Sequence, residues 1–432
     1  MAATNDPRRF RVRAMLAGVF LVAVLGSGAV YGVRLSRSVA TLRFGLAAPA
    51  GPWVFVAGDS RAGDVRGWLV DRGDGRRLAL GRLLDRRDQE TLYQVISFSR
   101  DGRHAAWFSR RSAPFGKPYY RLDSANLTAR VPAAVASVFD TPTVPSFAVS
   151  PSGTTVASVL EDQVTVIDLP DGQPRFMLPL PPFARRRKHL LFYLDDTHVR
   201  LIPGQKFEPR PQILELDLNS RTIAAVGAVE SDYPGLFLRS SHDGSRMLAL
   251  ERQRTKNSIR DGRTGQLLAL LPPVGKLGNA YFLADSGVAT MSGSAEFNVS
   301  GVATRIAGPR ALLALFGADG AERLRLALPE GGVVEGQPTA ETLLLALRAP
   351  AQGSSQHEHW VVQHVDMRTG RVLRSLRGLA PLSTMSFWYL PTLRPPRLGD
   401  RDYPCFDAEG NLVSVDIFTG VTTLVFTPGH LR

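Results

Sequence analysis

Cysteine is nearly absent. The 432-residue chain holds only Cys405, which excludes an intramolecular disulfide and any cysteine metal cluster and is compatible with either side of a membrane. Lysine is scarce, so arginine carries almost all of the positive charge. The G-x-S-x-G nucleophile elbow, the H-E-x-x-H zinc motif and the phosphate-binding P-loop are all missing, which removes the chemistries that depend on them. From residue 52 onward no convincing amphipathic helix period can be found, which argues against a helical bundle and against alternating β/α units. No stretch is large enough to form a second domain beside the repeats described below.

What is present is a chain of turns and short apolar runs. Gly 40 and Pro 30 provide frequent reversals, and a hydrophobic fraction of 44% supports a large core. Disorder is expected only in the N-terminal tail. The formal net charge is +13. Such a balance suits anionic partners such as nucleic acid, acidic polysaccharide or lipid head groups, but it also fits an arginine-rich codon bias whose charge is merely solvated.

Residues 1–13 form a basic tail with Arg8, Arg9, Arg11 and Arg13. Residues 14–33, AMLAGVFLVAVLGSGAVYGV, are uncharged and mostly apolar, and at about 20 residues they can span a bilayer as a helix. Arg34, Arg37 and Arg43 follow. The basic flank places the N-terminus inside and the rest of the chain outside the cytoplasm. An uncleaved signal anchor is the favoured reading, because the apolar run continues to Val33. The alternative is a signal peptide cleaved near Ser27-Gly28-Ala29, giving a periplasmic or secreted protein. Residues 34–51 read as a linker and 52–427 as one folded unit.

That unit repeats. Eight segments share a strand followed by a turn: WLVDRGDG (68–75), YRLDSAN (120–126), VIDLPDG (166–172), LELDLNS (214–220), SIRDGRTG (258–265), LALFGADG (313–320), QHVDMRTG (363–370) and VSVDIFTG (413–420). Asp71, Asp123, Asp168, Asp217, Asp261, Asp366 and Asp416 hold corresponding places, and Phe316 replaces the acid in the sixth copy. An aspartate at a strand end accepts hydrogen bonds from turn amides, and a following glycine supplies positive φ. One carboxylate per copy at the same turn is structural rather than catalytic. A second turn lies upstream, as in Ser99-Arg100-Asp101-Gly102, Ser150-Pro151-Ser152-Gly153, Ser241-His242-Asp243-Gly244 and Asp407-Ala408-Glu409-Gly410. Each copy thus reads strand A, tight turn, strand B, variable loop, strand C, tight turn, strand D. Copies spaced about fifty residues apart point to the blades of a β-propeller. Eight copies predict eight blades. Seven is the alternative, because the first copy is poorly defined, with Thr41–Ala47 the candidate for its strand A.

The SxDG-type turn followed by a DxxTG-type turn resembles the bacterial WD-repeat-like and quinoprotein-type propellers, over about residues 52–427. The resemblance implies the fold. Quinoprotein blades place a docking tryptophan after the TG turn. RVLRSL (371–376) and VTTLVF (421–426) have none, so no quinone cofactor is expected.

Antiparallel alternation puts the tight A–B and C–D turns on one face and the longer B–C and D–A connections on the other. Long loops on a rigid scaffold are where binding concentrates. The candidate binding residues are the cations of those loops: Arg110, Arg111, Lys117, Arg185, Arg186, Arg187, Lys188, Lys206, Arg210, Arg252, Arg254, Lys256, Arg394, Arg397 and Arg401. Phe115, Tyr119, Phe183 and Phe207 lie near them. His357, Glu358, His359 and His364 form the one histidine cluster, but a third ligand is missing, so no metal is expected. Two functions follow. The first is a membrane-anchored binding or scaffold module for an anionic envelope partner, such as a protein, polymer or lipid, with nucleic acid disfavoured by export. The second is a periplasmic or secreted propeller enzyme (hydrolase, lyase or quinoprotein-like) with a central-channel site.

Overall fold

In a computed structural model of the chain, the described residues are 39–427, apart from 61–63, 86–94, 112–118, 130–134, 142–143, 170, 186–188, 204–211, 230–235, 242, 252–256, 273–276, 293–310, 329–331, 349–359 and 383–398. The segment 14–33 therefore lies outside them. Among the described residues no helix is long and apolar enough to cross a membrane.

The strands form eight four-stranded sheets, each a simple antiparallel meander of consecutive strands. Blades 1 to 8 span 39–85, 96–141, 146–179, 189–228, 236–271, 277–328, 332–377 and 380–426. Eight copies give eight blades. Blade 1 is complete: its strand A is Val39–Ala47, at the place the sequence offered for it, followed by Trp53–Ser60, Asp64–Asp71 and Arg77–Asp85.

Blade 3 shows why the sequence folds this way. Strands B (Thr155–Leu160) and C (Gln163–Asp168) are buried on both faces, hence the nearly continuous apolar runs VASVL and VTVI. Strand D (Gln173–Pro179) alternates between exposed and half-buried residues, as a rim strand must. Pro174, Arg175 and Pro179 make its outer edge a poor template for another chain. The core lies between blades, where facing sheets interdigitate: Phe108 of blade 2 meets Phe147 of blade 3 edge to face, with centroids 5.0 Å apart.

Strands A meet around the axis. Val149 N–H of blade 3 donates to Ser97 Oγ of blade 2, and His189 N–H of blade 4 donates to Ser146 Oγ of blade 3, each at 3.3 Å. The ring closes between blades 8 and 1 without exchanging a strand. Gly45 N–H donates to Leu382 O, and Trp68 packs on Phe426 with centroids 6.1 Å apart. Arg72 crosses the seam, donating Nη1 to Asp402 O at 2.7 Å and Nη2 to Asp400 Oδ2 at 3.2 Å.

The turn chemistry holds in most copies. Asp217 Oδ1 accepts the amides of Asn219 and Ser220, Asp261 those of Arg263 and Thr264, Asp366 those of Arg368 and Thr369, and Asp416 those of Phe418 and Thr419. Asp71 accepts from Gly73 N–H. In blade 3 the turn closes through the backbone, Gly172 N–H to Asp168 O at 2.8 Å, while the Asp168 carboxylate pairs with Arg175 at 3.2 Å. In blade 6, where Phe316 replaces the acid, the turn changes type. Asp319 caps it by accepting from Ala321 N–H, and Gly320 N–H donates to Gly317 O. Gly102 sits where two demands coincide, at φ +69° and with its Cβ position 1.9 Å from Ala50 O, so only glycine fits.

Asp123 departs from the expected pattern. It is not a turn residue: strand C of blade 2 runs on to Asn126, whose Oδ1 accepts Thr128 N–H at 2.9 Å and serves as the turn acceptor. YRLDSAN carries two short polar acceptors three residues apart, and the earlier one lies in mid-strand, buried.

Candidate functional site

Strand order separates two faces, as the alternation predicts. On the tight-turn face the aspartates are held ionised. Backbone amides from Asn219 draw Asp217 down, the Thr369 hydroxyl and amide do the same for Asp366, and the Thr419 amide for Asp416. Asp171, Asp243, Asp285 and Asp319 add to this face, which is therefore rich in carboxylates although the whole chain is strongly basic. On the opposite face, the B–C connections range from the two-residue turn Glu161-Asp162 in blade 3 to the 293–310 segment in blade 6.

Of the predicted cations, Lys117, Arg186, Arg187, Lys188, Lys206, Arg210, Arg252, Arg254, Lys256, Arg394 and Arg397 lie outside the described residues, as do Phe115, Phe207 and the His357-Glu358-His359 triplet. Arg110 and Arg111 end strand B of blade 2 (His104–Arg111) on the loop face. Arg185 is exposed on the D–A connection after a short 3₁₀ turn, Pro182–Ala184, and its Nε donates to Leu180 O at 2.9 Å. Phe183, in that turn, is 39% exposed.

Arg401 does not belong with them. Segment 382–401 joins strand A (Ala380–Pro381) to strand B (Asp402–Phe406) of blade 8, so it is an A–B connection. Asp407 to Gly410, expected to be the A–B turn, instead joins B to C (Leu412–Asp416). Arg401 accordingly sits on the tight-turn face, its Nη2 3.1 Å from Asp416 Oδ2 and its guanidinium 5.6 Å from the Phe418 ring centroid. The very short strand A, with no clear turn after it, hid this shift.

The loop-side ends of blades 1 and 2 also hold a group of charges that the sequence did not single out. In blade 2, Trp107, Ser109 and Arg111 of strand B share a face with Arg121 and Asp123 of strand C (Tyr119–Asn126), through the pairs Trp107↔Asp123, Ser109↔Arg121 and Arg111↔Tyr119. Phe108 points the other way, to blade 3, so this face looks towards blade 1. The Asp123 carboxylate, 4% exposed, accepts from Ser109 Oγ, from Arg111 Nη2 at 3.4 Å and from Arg121 Nε at 3.2 Å. Blade 1 repeats the arrangement. Asp64, its side chain 6% exposed, pairs with Arg66 Nη2 at 3.3 Å and lies 3.6 Å from Arg82 Nε. In both blades one carboxylate lies within reach of two guanidinium groups, and a second aspartate stands across the register from the group, Asp85 opposite Asp64 and Asp140 opposite Arg121. The available signal was acid and arginine two residues apart inside a strand, Asp64/Arg66 and Arg121/Asp123, where apolar alternation was expected.

Elsewhere the buried polar groups act as structural ties. Tyr403 O–H donates to Glu335 Oε2 at 2.9 Å, linking blade 8 to strand A of blade 7. Burial, followed by the charges of Glu335 and Asp407, pushes the Cys405 thiol up, so it is a poor nucleophile. His364 packs edge-on to Phe418, with centroids 5.5 Å apart, and burial followed by the charge of Arg374 lowers its pKa. Among the described residues no group of three His, Cys, Asp or Glu is placed to hold a metal ion.

The fold is that of a β-propeller. The chain is similar to a crystal structure of a eukaryotic initiation factor, at a TM-score of 0.51 and 13% identity over 88% of this chain and 83% of that one. It is also similar to the dihydro-heme d1 dehydrogenase NirN, at TM-score 0.48 and 14% identity, covering 78% of this chain and 66% of that one. A third neighbour is the Myceliophteria thermophila Cps50 (Swd1) β-propeller domain, at TM-score 0.40 and 11% identity, covering 76% and 94%. No family model matches the chain, and no curated protein does. Identities this low concern the fold alone.

Proposed function

We propose that this protein is a membrane-anchored, extracytoplasmic β-propeller that serves as a binding or scaffold module for an anionic partner of the cell envelope, engaged through its loop face. One observation carries the reading. Strand A of blade 1 starts at Val39 and runs from the loop face towards the tight-turn face. Only residues 34–38 separate it from the apolar stretch 14–33, and five residues reach at most roughly 17 Å. An anchor at 14–33 therefore tethers the loop face, with its arginines, close to the bilayer. The carboxylate-rich turns then face away from an anionic surface, and the two faces together give the molecule a preferred orientation.

The test combines topology and binding. Single cysteines placed at Ser60 and at Thr264 in a Cys405→Ser background are labelled in intact cells and in inverted vesicles with a membrane-impermeant maleimide. A short cross-linker from the bilayer surface should reach position 60 and not position 264. Labelling from the cytoplasmic side, or capture of position 264 in preference to 60, overturns the reading.

A further inference from the structure

We infer that strand D of blade 5 (Leu267–Leu271) is a self-association edge, on which the same strand of a second copy of this chain pairs antiparallel about a two-fold axis at Ala269. Every blade ends in a strand D that is hydrogen-bonded on one side only. Such edges invite pairing unless charge or proline blunts them. Arg175 stands beside Pro174 in blade 3, Arg323 and Arg325 lie on the edge of blade 6, and Arg374 and Arg377 on that of blade 7. Blade 5 has neither device. Its strand D reads LLALL, with Leu267 44%, Leu268 48% and Leu270 62% exposed while Ala269 and Leu271 are buried. The register shift beside Leu268 recurs between strands C and D of other blades and leaves these leucines open. Strand D of blade 8 (Thr422–Phe426) is also uncharged, but it presents one exposed leucine after two threonines. Blade 4 continues the neutral rim, because its strand D (Thr222–Ala228) reads TIAAVGA. A Cβ on its Gly227 would lie 1.9 Å from Thr264 O in the C–D turn of blade 5, so the two strands run end to end around the ring.

The sequence of the edge selects the occupant. LLALL reads the same in both directions. A partner strand centred on Ala269 therefore sets Leu268 against Leu270 of the second copy, and Leu270 against Leu268, so every exposed leucine meets an apolar neighbour. Charge selects the place. Copies of a chain with net charge +13 repel one another. Self-pairing of the blade 7 edge would bring arginines together, whereas the blade 5 edge adds no charge at all. Twist makes the pairing compatible with a common orientation. Three inter-strand steps turn strand D by roughly 60–75° from strand A. The two-fold, normal to the paired strands, then lies close to the ring axis, and both copies keep their loop faces on one side. Pro272 and Pro273 end the edge by removing amide donors. A five-residue strand buries less than the about 1,200–2,000 Å² of a stable interface, so the pairing is weak and reversible. It does not depend on the membrane reading.

The experiment uses the full chain in detergent, with Cys405→Ser as background for Leu268→Cys and Leu270→Cys. Each cysteine variant is oxidised alone and in an equal mixture. In the inferred pair, position 268 faces position 270 of the other copy, and neither faces itself. The mixture should form disulfide-linked dimers at least about fivefold more than either variant alone. Energy transfer between donor- and acceptor-labelled copies gives the second measurement. L268K/L270K should weaken association at least about tenfold, because like charges meet. L268K/L270E should recover most of it, because each introduced lysine faces an introduced glutamate. V372K/L373K, on the exposed apolar rim of blade 7, should change nothing. Unchanged thermal midpoints show that the variants fold. Equal cross-linking in all three oxidations overturns pairing about Ala269. Equal loss in L268K/L270K and L268K/L270E shows an apolar surface that takes some other partner, and also overturns it. Loss in V372K/L373K moves the contact to blade 7, and absence of energy transfer in the native chain removes it. None of these outcomes alters the loop-face reading.

Discussion

Replacing Arg72 by alanine is expected to loosen the ring at one place only. Arg72 lies at the start of the C–D turn of blade 1, its side chain 9% exposed. Within its own blade it donates Nε to Pro52 O and Nη2 to Gly51 O, each at 3.2 Å. Across the seam it reaches Asp402 O at 2.7 Å and Asp400 Oδ2 at 3.2 Å. Hydrogen bonds from a charged donor are worth about 1.5–3 kcal/mol each. The freed carbonyls can turn to water and Asp400 is already 29% exposed, so the two seam bonds together should contribute about 2–3 kcal/mol after screening. At 1.4 kcal/mol per decade, that multiplies local opening of the seam by about 30- to 150-fold. Amide hydrogen exchange reads this directly. The Gly45 N–H, bonded to Leu382 O, and the Ile417 N–H, bonded to Arg401 O, should exchange faster by that factor. The Ala157 and Val166 amides of blade 3 should not change. A uniform increase over all blades, or an unchanged Gly45, would refute the idea that the seam is a separate weak point held by this side chain.

Three further outcomes can be checked. Gly102→Ala should destabilise by more than about 1 kcal/mol, because it combines a left-handed φ with a Cβ overlapping Ala50 O; an unchanged thermal midpoint would show that the turn can move. Asp123→Ala should cost about 2–3 kcal/mol in denaturant titration, below the 3–5 of a wholly buried pair because both arginines are partly solvated. Asp366→Ala at a turn should cost less, and the reverse order would restore Asp123 to a turn-like role. Stability should fall in acid through the turn aspartates. Asp195, opposed by burial but drawn down by Thr197 and His198, titrates at about 2, and Asp217, Asp366 and Asp416 are also lowered. A group with a depressed folded pKa contributes stability above its unfolded value, near 4, and loses it as pH falls through the folded value. Asparagine at all four positions should therefore flatten the decline of stability below pH 4, as followed by circular dichroism.

The blade count and strand order were legible because each hairpin needs the same local chemistry. Asp217, Asp261, Asp366 and Asp416 sit four residues before their glycine or its substitute, whatever surrounds them. That signal is short-range, and it failed where the outcome depended on burial. Asp123 and Asn126 both suit a turn, and only the neighbouring arginines on a closed sheet face select the first as an enclosed carboxylate. Blade 8 departs from the sequence expectation for a related reason. Ala380–Pro381 is too short to show a pattern, so the local sequence does not reveal that the turn at 407–410 joins strands B and C and that Arg401 lies on the tight-turn face. The arginine pairs at the loop-side ends of blades 1 and 2 were visible as letters, but their pairing depends on cross-strand register, which a sequence alone does not give.

The closure between blades 8 and 1 also sets the order of events during synthesis. Within a blade every contact is local, so each meander can form soon after its residues leave the ribosome. Blade 1 cannot complete its own packing at that point. Trp68 and Arg72 wait for Phe426 and Asp402, more than three hundred residues and seven blades later. At the elongation rates of living cells, that interval lasts on the order of tens of seconds. Throughout it the Trp68 face of blade 1 stands open, apolar and beside the growing chain, so the half-made ring depends on chaperones or on prompt completion. A translational pause anywhere between Trp68 and Phe426 prolongs that exposure by its own length, whereas a pause after Phe426 does not.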